Sequence, residues 1–333
     1  MLNKLTWGIL GCADIAVNAF IPAIRQSKFN ELKAISSRRI EKAQETARDN
    51  NIPCAYGSYE ELLQDPEIEA VYIPLPNHLH KEWSMKAAVA GKHVLCEKPI
   101  ALNAGEAEEL ASFFHERDLL LGEAFMYRHH PRFDRIKEIV NSGELGTIRG
   151  IHGTFTFNNA NDKGNIRYRS DWGGGSLYDI GCYVINSARL ILEKEPEAAT
   201  VHGFFSEEHG NVDMMASGLL EFPDSIGVTF MCGMWAEFQN TLQIVGTDGT
   251  IYIPSSFVCS SEEKSSFSVT KKGEERLEHF PPVNQYTLQL NDFANSVRQR
   301  TPLAFEVEDA ILNMKVLDAC LKSAKEKIKV QIN

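Results

Sequence analysis

Residues 7–16 read WGILGCADIA, and this stretch decides how the chain begins to fold. An apolar run leads into Gly11, Ala13 and Ala16, a G-x-A-x-x-A spacing that relaxes the G-x-G-x-x-G/A fingerprint of dinucleotide-binding turns. Gly11 permits a tight turn, Ala13 lets backbone approach a pyrophosphate, and the following helix start offers unpaired N–H groups to phosphates. A turn of small residues is a weak signal alone, but its place in the first βα unit favours a dinucleotide. The residues predicted to contact the cofactor here are Gly11, Cys12, Ala13, Asp14 and Ile15.

The rhythm of that unit repeats over the first 122 residues. Compact apolar runs alternate with helical stripes, as expected for parallel strands that are buried on both faces. These runs are TWGIL, LKAIS, AVYIPL, HVLCE and LLLGEAF. We therefore predict an α/β fold whose N-terminal domain, residues 1–122, is a Rossmann domain with a doubly wound parallel sheet.

After residue 122 the pattern changes to alternating apolar and polar residues joined by short turns such as Asp248-Gly249. Connections this short cannot hold crossover helices, so residues 123–333 are predicted to form an α+β domain with an open, mainly antiparallel sheet. Two helices, at about 285–300 and 307–327, close the chain and are expected to pack back toward the first domain. The bare face of the open sheet is a plausible dimer surface.

Composition excludes several classes of protein. The 333 residues carry 34 basic and 45 acidic side chains, a net charge of −11, which disfavours nucleic acids and anionic membranes. No apolar run reaches the roughly 18 residues that a membrane span needs. Seven cysteines without a C-x-x-C pair read as reduced thiols in a cytoplasmic protein. His78 and His80 have no third ligand in sight, so no metal site is predicted.

The end of the second predicted strand bears on the choice of cofactor. An NAD site usually places Asp or Glu there, whereas a 2′-phosphate needs a hydroxyl and a guanidinium. Ser37 and Arg38 follow the strand, and no acidic residue comes before Glu41. NADP(H) is therefore favoured over NAD(H), which remains possible; the alternative is an exposed arginine pair at a helix start.

Two further segments follow predicted strands at the edge where α/β sheets bind ligands. Leu75-Pro76-Asn77-His78-Leu79-His80 follows the fourth apolar run, and Cys96-Glu97-Lys98-Pro99 follows the fifth. Lys98 is unusual for a structural position because it has nothing apolar to cover, although a solvated lysine is the plainer interpretation.

In the second domain the stretch WGGGSLYDIGCY, residues 172–183, combines three glycines with Asp179 and Tyr183. The glycines allow backbone to approach a ligand or another segment closely. Asp179 and Tyr183 are four residues apart and share one face of a helix. Alone, such a pair is usually a hydrogen-bonded surface couple.

Together these motifs resemble the glucose–fructose oxidoreductase/inositol dehydrogenase (Gfo/Idh/MocA) family of NAD(P)-dependent oxidoreductases over nearly the whole chain. The resemblance rests on GILGCADIA, PNHLH, the tripeptide Glu97-Lys98-Pro99, EAFMYRHHP, NIR, GGGSLYDIGCY and VGTDGTI. Tyr183, where the family more often has His, is similar to the branch with NADP-dependent D-xylose dehydrogenase and dimeric dihydrodiol dehydrogenase. The resemblance implies a Rossmann domain followed by an open-sheet domain that commonly dimerises.

The resemblance also implies roles for single residues. Lys98 and Tyr183 would be the catalytic pair, with Asp179 beside the substrate, and the cleft between the two domains would be the active site. Around the cofactor it implies Leu75, Pro76, Asn77, His80, Glu97, Lys98 and Arg128, in addition to Ser37 and Arg38. The residues expected to line the substrate pocket are Tyr127, Arg167, Trp172, Asp179 and Tyr286.

The chemistry of this pair is consistent on physical grounds. A phenol with its ordinary pKa of ~10 is a poor base at neutral pH, but a neighbouring ammonium stabilises the phenolate. The predicted activity is hydride transfer between a nicotinamide and a sugar, polyol or cyclic diol, or its keto form. The alternatives are a sensor that binds NADP(H) without turnover and a nicotinamide-dependent glycosidase.

Overall fold

The computed structural model describes residues 4–332. By their internal contacts these residues divide into two compact units. The first unit contains residues up to Met126 together with Asn284–Ile311, and the second contains Tyr127–Val283 and the residues from Leu312 onward. The chain thus passes between units at three places, whereas the sequence pattern predicts one boundary after residue 122.

The strands and helices alternate in the first part of the chain and separate in the second. The strands are β1 (Leu5–Leu10), β2 (Asn30–Ser36), β3 (Cys54–Tyr56), β4 (Ala70–Ile73), β5 (His93–Cys96), β6 (Leu121–Glu123), β7 (Ile148–Asn158), β8 (Ala198–Ser206), β9 (Val212–Phe222), β10 (Ile226–Gly233), β11 (Trp235–Gly246), β12 (Gly249–Ile253), β13 (Ser265–Lys271), β14 (Glu274–Phe280) and β15 (Val330–Gln331). The α-helices are α1 (Ile21–Gln26), α2 (Ile40–Asp49), α3 (Tyr59–Leu63), α4 (His80–Val89), α5 (Ala104–His115), α6 (Pro131–Asn141), α7 (Cys182–Leu192), α8 (Gln285–Gln299) and α9 (Val307–Glu326).

The first unit holds a six-stranded sheet in the order β3-β2-β1-β4-β5-β6, with every neighbouring pair parallel. Strand order reverses direction at β1 and β4, the switch point where doubly wound sheets open a crevice beyond their carboxyl ends. The predicted Rossmann sheet is therefore confirmed.

Aromatic side chains fill the core of this unit. Trp7 of β1 lies with its ring 5.7 Å from Phe20 and 5.1 Å from Phe293 of α8, and Phe20 stacks on Tyr72 at 4.0 Å. The indole N–H of Trp7 donates to Asn30 at 2.6 Å, which satisfies its one buried polar group. α8 thereby completes the core of the first unit although it lies far along the chain.

The second unit holds a nine-stranded sheet in the order β14-β13-β12-β11-β7-β10-β9-β8-β15. Its described pairs are antiparallel except for β7 with β10, so the prediction of a mainly antiparallel sheet is confirmed. α7 packs on β7 and on α6.

Three strands lie outside the predicted apolar runs, and each has a physical reason. β3 has only three residues, all half-buried, and β14 is exposed at most positions. β15 has two residues at the end of the sheet. All three are edge strands, which bury one side at most and therefore lack a strong hydrophobic pattern.

No helix within residues 4–332 is long and apolar enough to cross a membrane. Over the same residues, no group of three or more His, Cys, Asp or Glu side chains is placed to hold a metal ion. Each of the seven cysteines is a free thiol.

Candidate functional site

The glycine turn after β1 has the geometry that its sequence predicts. Gly11 has φ +108°, and a Cβ at this position would lie 3.0 Å from the Leu75 side chain. Its N–H donates to the Ser36 carbonyl at 2.9 Å, so the turn is pinned to β2. Both the backbone angle and the close approach require glycine here.

A helical segment starts directly after this turn, with the Ala13 carbonyl accepting from Ala16 and Val17. Cys12 and Ala13 are half-buried, whereas Asp14 and Ile15 are exposed. The segment from Ala16 to Phe20 is π-helical before α1 begins. The first N–H groups of a helix have no intrahelical acceptor, so a segment that starts here presents donors suited to an anion.

The end of β2 places Ser37 and Arg38 near the glycine turn. Arg38 is exposed, and its guanidinium lies close enough to the Tyr59 hydroxyl to affect its pKa. That hydroxyl would lie 3.8 Å from a Cβ on Gly11. Burial raises the pKa of Tyr59, and Arg38 opposes the rise. Arg38 thus lies near the turn that is predicted to bind the cofactor phosphates.

The segment after β4 contacts the side chain of His80, the first residue of α4. Leu75 is buried, Pro76 and Asn77 are half-buried, and a short 3-10 turn at Asn77–Leu79 leads into α4. His80 is fully buried, and both ring nitrogens contact backbone carbonyl oxygens. Its ring is therefore engaged by the protein on both sides, which differs from an open cofactor contact.

The lysine of the Glu97-Lys98-Pro99 tripeptide lies in the turn after β5. Tyr72 of β4 donates its hydroxyl proton to Glu97, and the Lys98 N–H donates to the same carboxylate at 3.3 Å. The Ile100 N–H donates to Glu123 at 2.9 Å. The backbone on both sides of Lys98 is thus fixed by buried or half-buried carboxylates.

Tyr183 stands in an aromatic cluster of the second unit. Its ring centroid lies 5.8 Å from Tyr127, 5.4 Å from Phe155 and 5.6 Å from Phe257. Tyr127, predicted to line the substrate pocket, is fully buried, and its hydroxyl donates to Asn186 at 2.6 Å. Tyr127 therefore supports the Tyr183 ring from within the core.

Arg167 and Asp179 form an ion pair in the same unit. The Arg167 Nε donates to Asp179 at 2.6 Å, and the Asp179 side chain is 16% exposed. The Asp179 carboxylate raises the pKa of Arg167, and the Tyr183 oxygen adds to this effect. Arg167, Asp179 and Tyr183 are therefore one electrostatic group.

The glycine triplet serves close packing between segments of the protein. A Cβ on Gly174 would lie 2.3 Å from the Arg167 carbonyl oxygen, and one on Gly175 would lie 2.0 Å from the Asp213 carboxylate. The N–H groups of both glycines donate to carbonyls of Arg167 and Arg169. The loop that carries Arg167 is thereby tied to the start of the helix that carries Asp179.

The remaining predicted residues lie in three different settings. Arg128 is 5% exposed in a 3-10 turn of the second unit. Trp172 is half-buried under the Arg169 guanidinium, which is 4.5 Å from its ring. Tyr286 lies in the first turn of α8 and packs on the core of the first unit.

Within each unit, the fold gathers most of the predicted residues. In the first unit Gly11, Ser37, Asn77 and Lys98 all follow carboxyl ends of neighbouring strands. In the second unit Arg167, Asp179 and Tyr183 form the group described above. Residues that the sequence analysis missed lie directly behind these: Tyr59, Tyr72, Glu123 and Asp213. Two of these residues could have been found from the sequence, because the acidic side chains of Asp213 and Glu123 lie within otherwise apolar strands.

Comparison with known proteins places the chain in a family. A family model described as "Oxidoreductase family, NAD-binding Rossmann fold" matches residues 5–125, and the GFO/IDH/MocA C-terminal domain matches residues 133–252. The two matches together cover most of the chain and follow its two kinds of sheet.

Individual proteins match along nearly their full length. The chain is 34% identical to a D-xylose 1-dehydrogenase (NADP(+)) from Haloferax volcanii, over 99% of this chain and 100% of the relative. It is 31% identical to a trans-1,2-dihydrobenzene-1,2-diol dehydrogenase from Xenopus tropicalis, over 96% and 90%. A solved 3-ketoreductase from Actinomadura kijaniata, in complex with NADP and TDP-benzene, superposes with a TM-score of 0.91 at 30% identity, over 96% of this chain and 98% of the other. These similarities confirm the family and branch that the motifs predicted: the chain belongs to the Gfo/Idh/MocA family and is an oxidoreductase.

Proposed function

We propose that the protein transfers hydride between NADP(H) and a sugar, polyol or cyclic diol, or its keto form, with Lys98 and Tyr183 handling the proton. The observation that carries this proposal is the placement of Lys98 at the carboxyl end of β5, on the same sheet edge as the Gly11 turn. The backbone is fixed by hydrogen bonds on both sides of Lys98. A lysine at that sheet edge fits a catalytic role better than a role in core packing.

The residues of the first unit fit a dinucleotide. Gly11 forms a cradle that a Cβ would crowd, and the N–H groups after it open a helix toward solvent. Gly11, Cys12, Ala13, Asp14 and Ile15 would hold the pyrophosphate. Leu75, Pro76, Asn77 and Glu97 would border the nicotinamide side, and Arg128 is proposed as a further cofactor contact.

The preference for NADP(H) rests on Ser37 and Arg38. Arg38 is exposed near Tyr59, so it offers a guanidinium to a 2′-phosphate where an NAD site has a carboxylate. The names of the Haloferax dehydrogenase and of the Actinomadura complex, which both specify NADP, support the same preference.

The transfer of the substrate hydroxyl proton is assigned to the side chains of Tyr183 and Lys98. The nicotinamide, when bound, accepts or returns the hydride. Tyr183 Oη takes the substrate hydroxyl proton during oxidation and returns it during reduction, and the Lys98 ammonium stabilises its phenolate form.

The second unit provides polar groups for a hydroxylated substrate. Asp179 and Arg167 supply an acceptor and donors next to Tyr183, as a sugar or diol requires. Trp172 and Tyr286 are proposed as further substrate contacts. The relatives' names, which include xylose and a dihydrodiol, indicate substrates of this class.

Replacement of Lys98 by Met tests the proposal. Lys98→Met is expected to lower turnover by orders of magnitude and to leave the dissociation constant for NADPH nearly unchanged. Net NADPH formation is measured with D-xylose and a panel of aldoses, polyols and cyclic diols, and binding by fluorescence titration. Lys28→Met, on the exposed surface, is the control.

Three outcomes would contradict the proposal. Unchanged turnover in Lys98→Met would remove Lys98 from the reaction. NADPH binding by the wild-type protein without turnover on any substrate would favour a sensor, and cleavage of glycosides without net NADPH formation would favour a glycosidase.

We further propose a homodimer, which the family resemblance implies, through the outer face of the second sheet. That face exposes large apolar side chains, including Phe204, Tyr252 and Leu277. Sedimentation velocity should give a dimer for the wild type and a shift toward monomer for the double variant Tyr252→Glu with Leu277→Glu. A wild-type monomer at micromolar concentration would refute the proposal.

A further inference from the structure

His80 contacts two backbone carbonyls from inside the first unit. Nδ1 lies 2.8 Å from the Pro99 oxygen, and Nε2 lies 2.7 Å from the Leu75 oxygen. The side chain is fully buried. Leu75 follows β4 and Pro99 follows β5, and these two strands are parallel neighbours in the sheet. One imidazole therefore spans the turns that carry Asn77 and Lys98.

His80 and Glu123 contact the two polar atoms of a single peptide group, its carbonyl oxygen and its N–H. His80 binds the carbonyl oxygen of the Pro99–Ile100 peptide, and Glu123 accepts from the N–H of that same peptide at 2.9 Å. A peptide group is planar, so holding its oxygen and its N–H fixes the orientation of the plane. That plane lies one residue after Lys98.

We propose that His80 is a positioning residue: together with Glu123 it fixes the backbone that presents Lys98, and it does not contact the cofactor. This inference rests on the proposed function of Lys98. A direct cofactor contact would need a ring nitrogen that is not already engaged, and both nitrogens of His80 contact the protein.

Histidine is suited to this position because of its two separated nitrogens. Both partners are acceptors, whereas a neutral imidazole has one N–H and only the imidazolium donates to both. Burial lowers the pKa of His80 to about 4, the two carbonyls oppose this effect, and the charges of Lys98 and His78 add to it. Both carbonyl oxygens lie at hydrogen-bond distance from the ring, so they favour a ring that donates from both nitrogens and act against the effect of burial.

Two amide variants separate the two contacts. An Asn side chain places its amide near the position of Nδ1 and can retain the bond to Pro99, whereas a Gln side chain reaches the position of Nε2 and retains the bond to Leu75. If His80 acts through the Lys98 turn, H80N keeps more of kcat than H80Q does. H80Q should lose about 10- to 100-fold in kcat, the effect of a small misplacement of a reacting group.

The readout that does not depend on knowing the substrate is the reactivity of Lys98. Each variant is labelled with acetic anhydride over a pH series, and acetylation of Lys98 is followed by peptide mass spectrometry. We expect H80Q to change the labelling profile of Lys98 and H80N to resemble the wild type. His93→Gln is the matched control, since His93 bonds the Leu120 N–H from the opposite end of β5.

Kinetics and binding complete the test. With D-xylose and NADP⁺, H80Q should lower kcat while its dissociation constant for NADPH stays close to the wild-type value. In the Lys98→Met background H80Q should cause no further loss, because it acts through Lys98.

Several results would overturn the inference: equal labelling of Lys98 in H80Q and the wild type, equal effects of H80N and H80Q, or weaker NADPH binding with unchanged kcat. If H80Q does not fold, the test rests on H80N. A Lys98 labelling profile in H80N that differs from the wild type overturns the inference, and a profile equal to the wild type supports it. Failure of the proposed function appears separately, as full activity of Lys98→Met.

Discussion

The carboxylate of Asp213 accepts a hydrogen bond of 2.7 Å from the backbone N–H of Leu177, so a side chain of β9 caps the helical segment that carries Asp179 and Tyr183. The Ser176 hydroxyl donates to the same oxygen at 2.8 Å. The segment has no side-chain cap of its own. Its start is therefore fixed by a neighbouring strand, and the negative charge lies at the favourable end of the helix dipole.

Removing this cap should weaken both the fold and the reaction. Asp213→Ala leaves a buried N–H and a buried hydroxyl without their acceptor, which is expected to lower the free energy of unfolding by about 1–3 kcal/mol. Asp213→Asn, which retains one acceptor oxygen, should lose less. Urea denaturation measures both variants against Asp162→Ala, a change in an exposed loop. Equal stability of Asp213→Ala and the control would contradict a capping role.

The same carboxyl group should make stability depend on pH. Burial raises the pKa of Asp213 from 3.8 to about 6, although its two hydrogen bonds oppose the rise. Between these values the folded protein keeps a proton that the unfolded chain has released, so stability falls as pH rises from about 4 to 6. Asp213→Asn cannot titrate. The difference in unfolding free energy between wild type and Asp213→Asn should therefore shrink over this range and level off above it; a constant difference would refute the shift.

Gly175 should not tolerate a side chain. Its φ of +118° and the 2.0 Å approach of a Cβ to Asp213 both oppose Ala. Gly143 provides the matched control, since its φ is +73° and nothing lies within 4 Å of its Cβ position. Gly143→Ala should show only the cost of the backbone angle, about 1–2 kcal/mol. Gly175→Ala should lose about 1–3 kcal/mol more through crowding. Thermal or urea unfolding measures the loss of stability in the two variants. Similar losses of unfolding free energy would mean that the contact with Asp213 relaxes easily.

Arg38 should determine how strongly the protein discriminates between the two nicotinamide cofactors. If Arg38 binds the 2′-phosphate as proposed, Arg38→Ala removes a charge-assisted hydrogen bond, so the ratio of NADPH to NADH affinity is expected to fall about 10- to 100-fold. Arg39→Ala is the control, because Arg39 is also exposed and is the next residue. Fluorescence titrations with both cofactors measure the ratio. An equal fall in both variants would show a general effect of charge, and no fall would exclude Arg38.

The parallel sheet was predictable because its strands are continuous apolar runs, and Gly11 was predictable because its turn needs a positive φ. The edge strands β3, β14 and β15 were not, because half-exposed strands carry little hydrophobic pattern. Among candidate site residues, Lys98 and Tyr183 were predicted from motifs, and their roles stay predictions. Tyr127 was predicted to line the pocket, yet its ring is fully buried and its hydroxyl bonds Asn186.

Local sequence determined where the strands end and which polar side chains follow them, because hydrophobic periodicity and turn chemistry act over a few residues. Tertiary structure decided what holds those side chains. Asp213 reaches Leu177, and Glu123 and His80 reach one peptide beside Lys98, only because strands and turns distant in the chain become neighbours. Such contacts depend on three-dimensional packing of buried polar groups, and no spacing along a single chain encodes them.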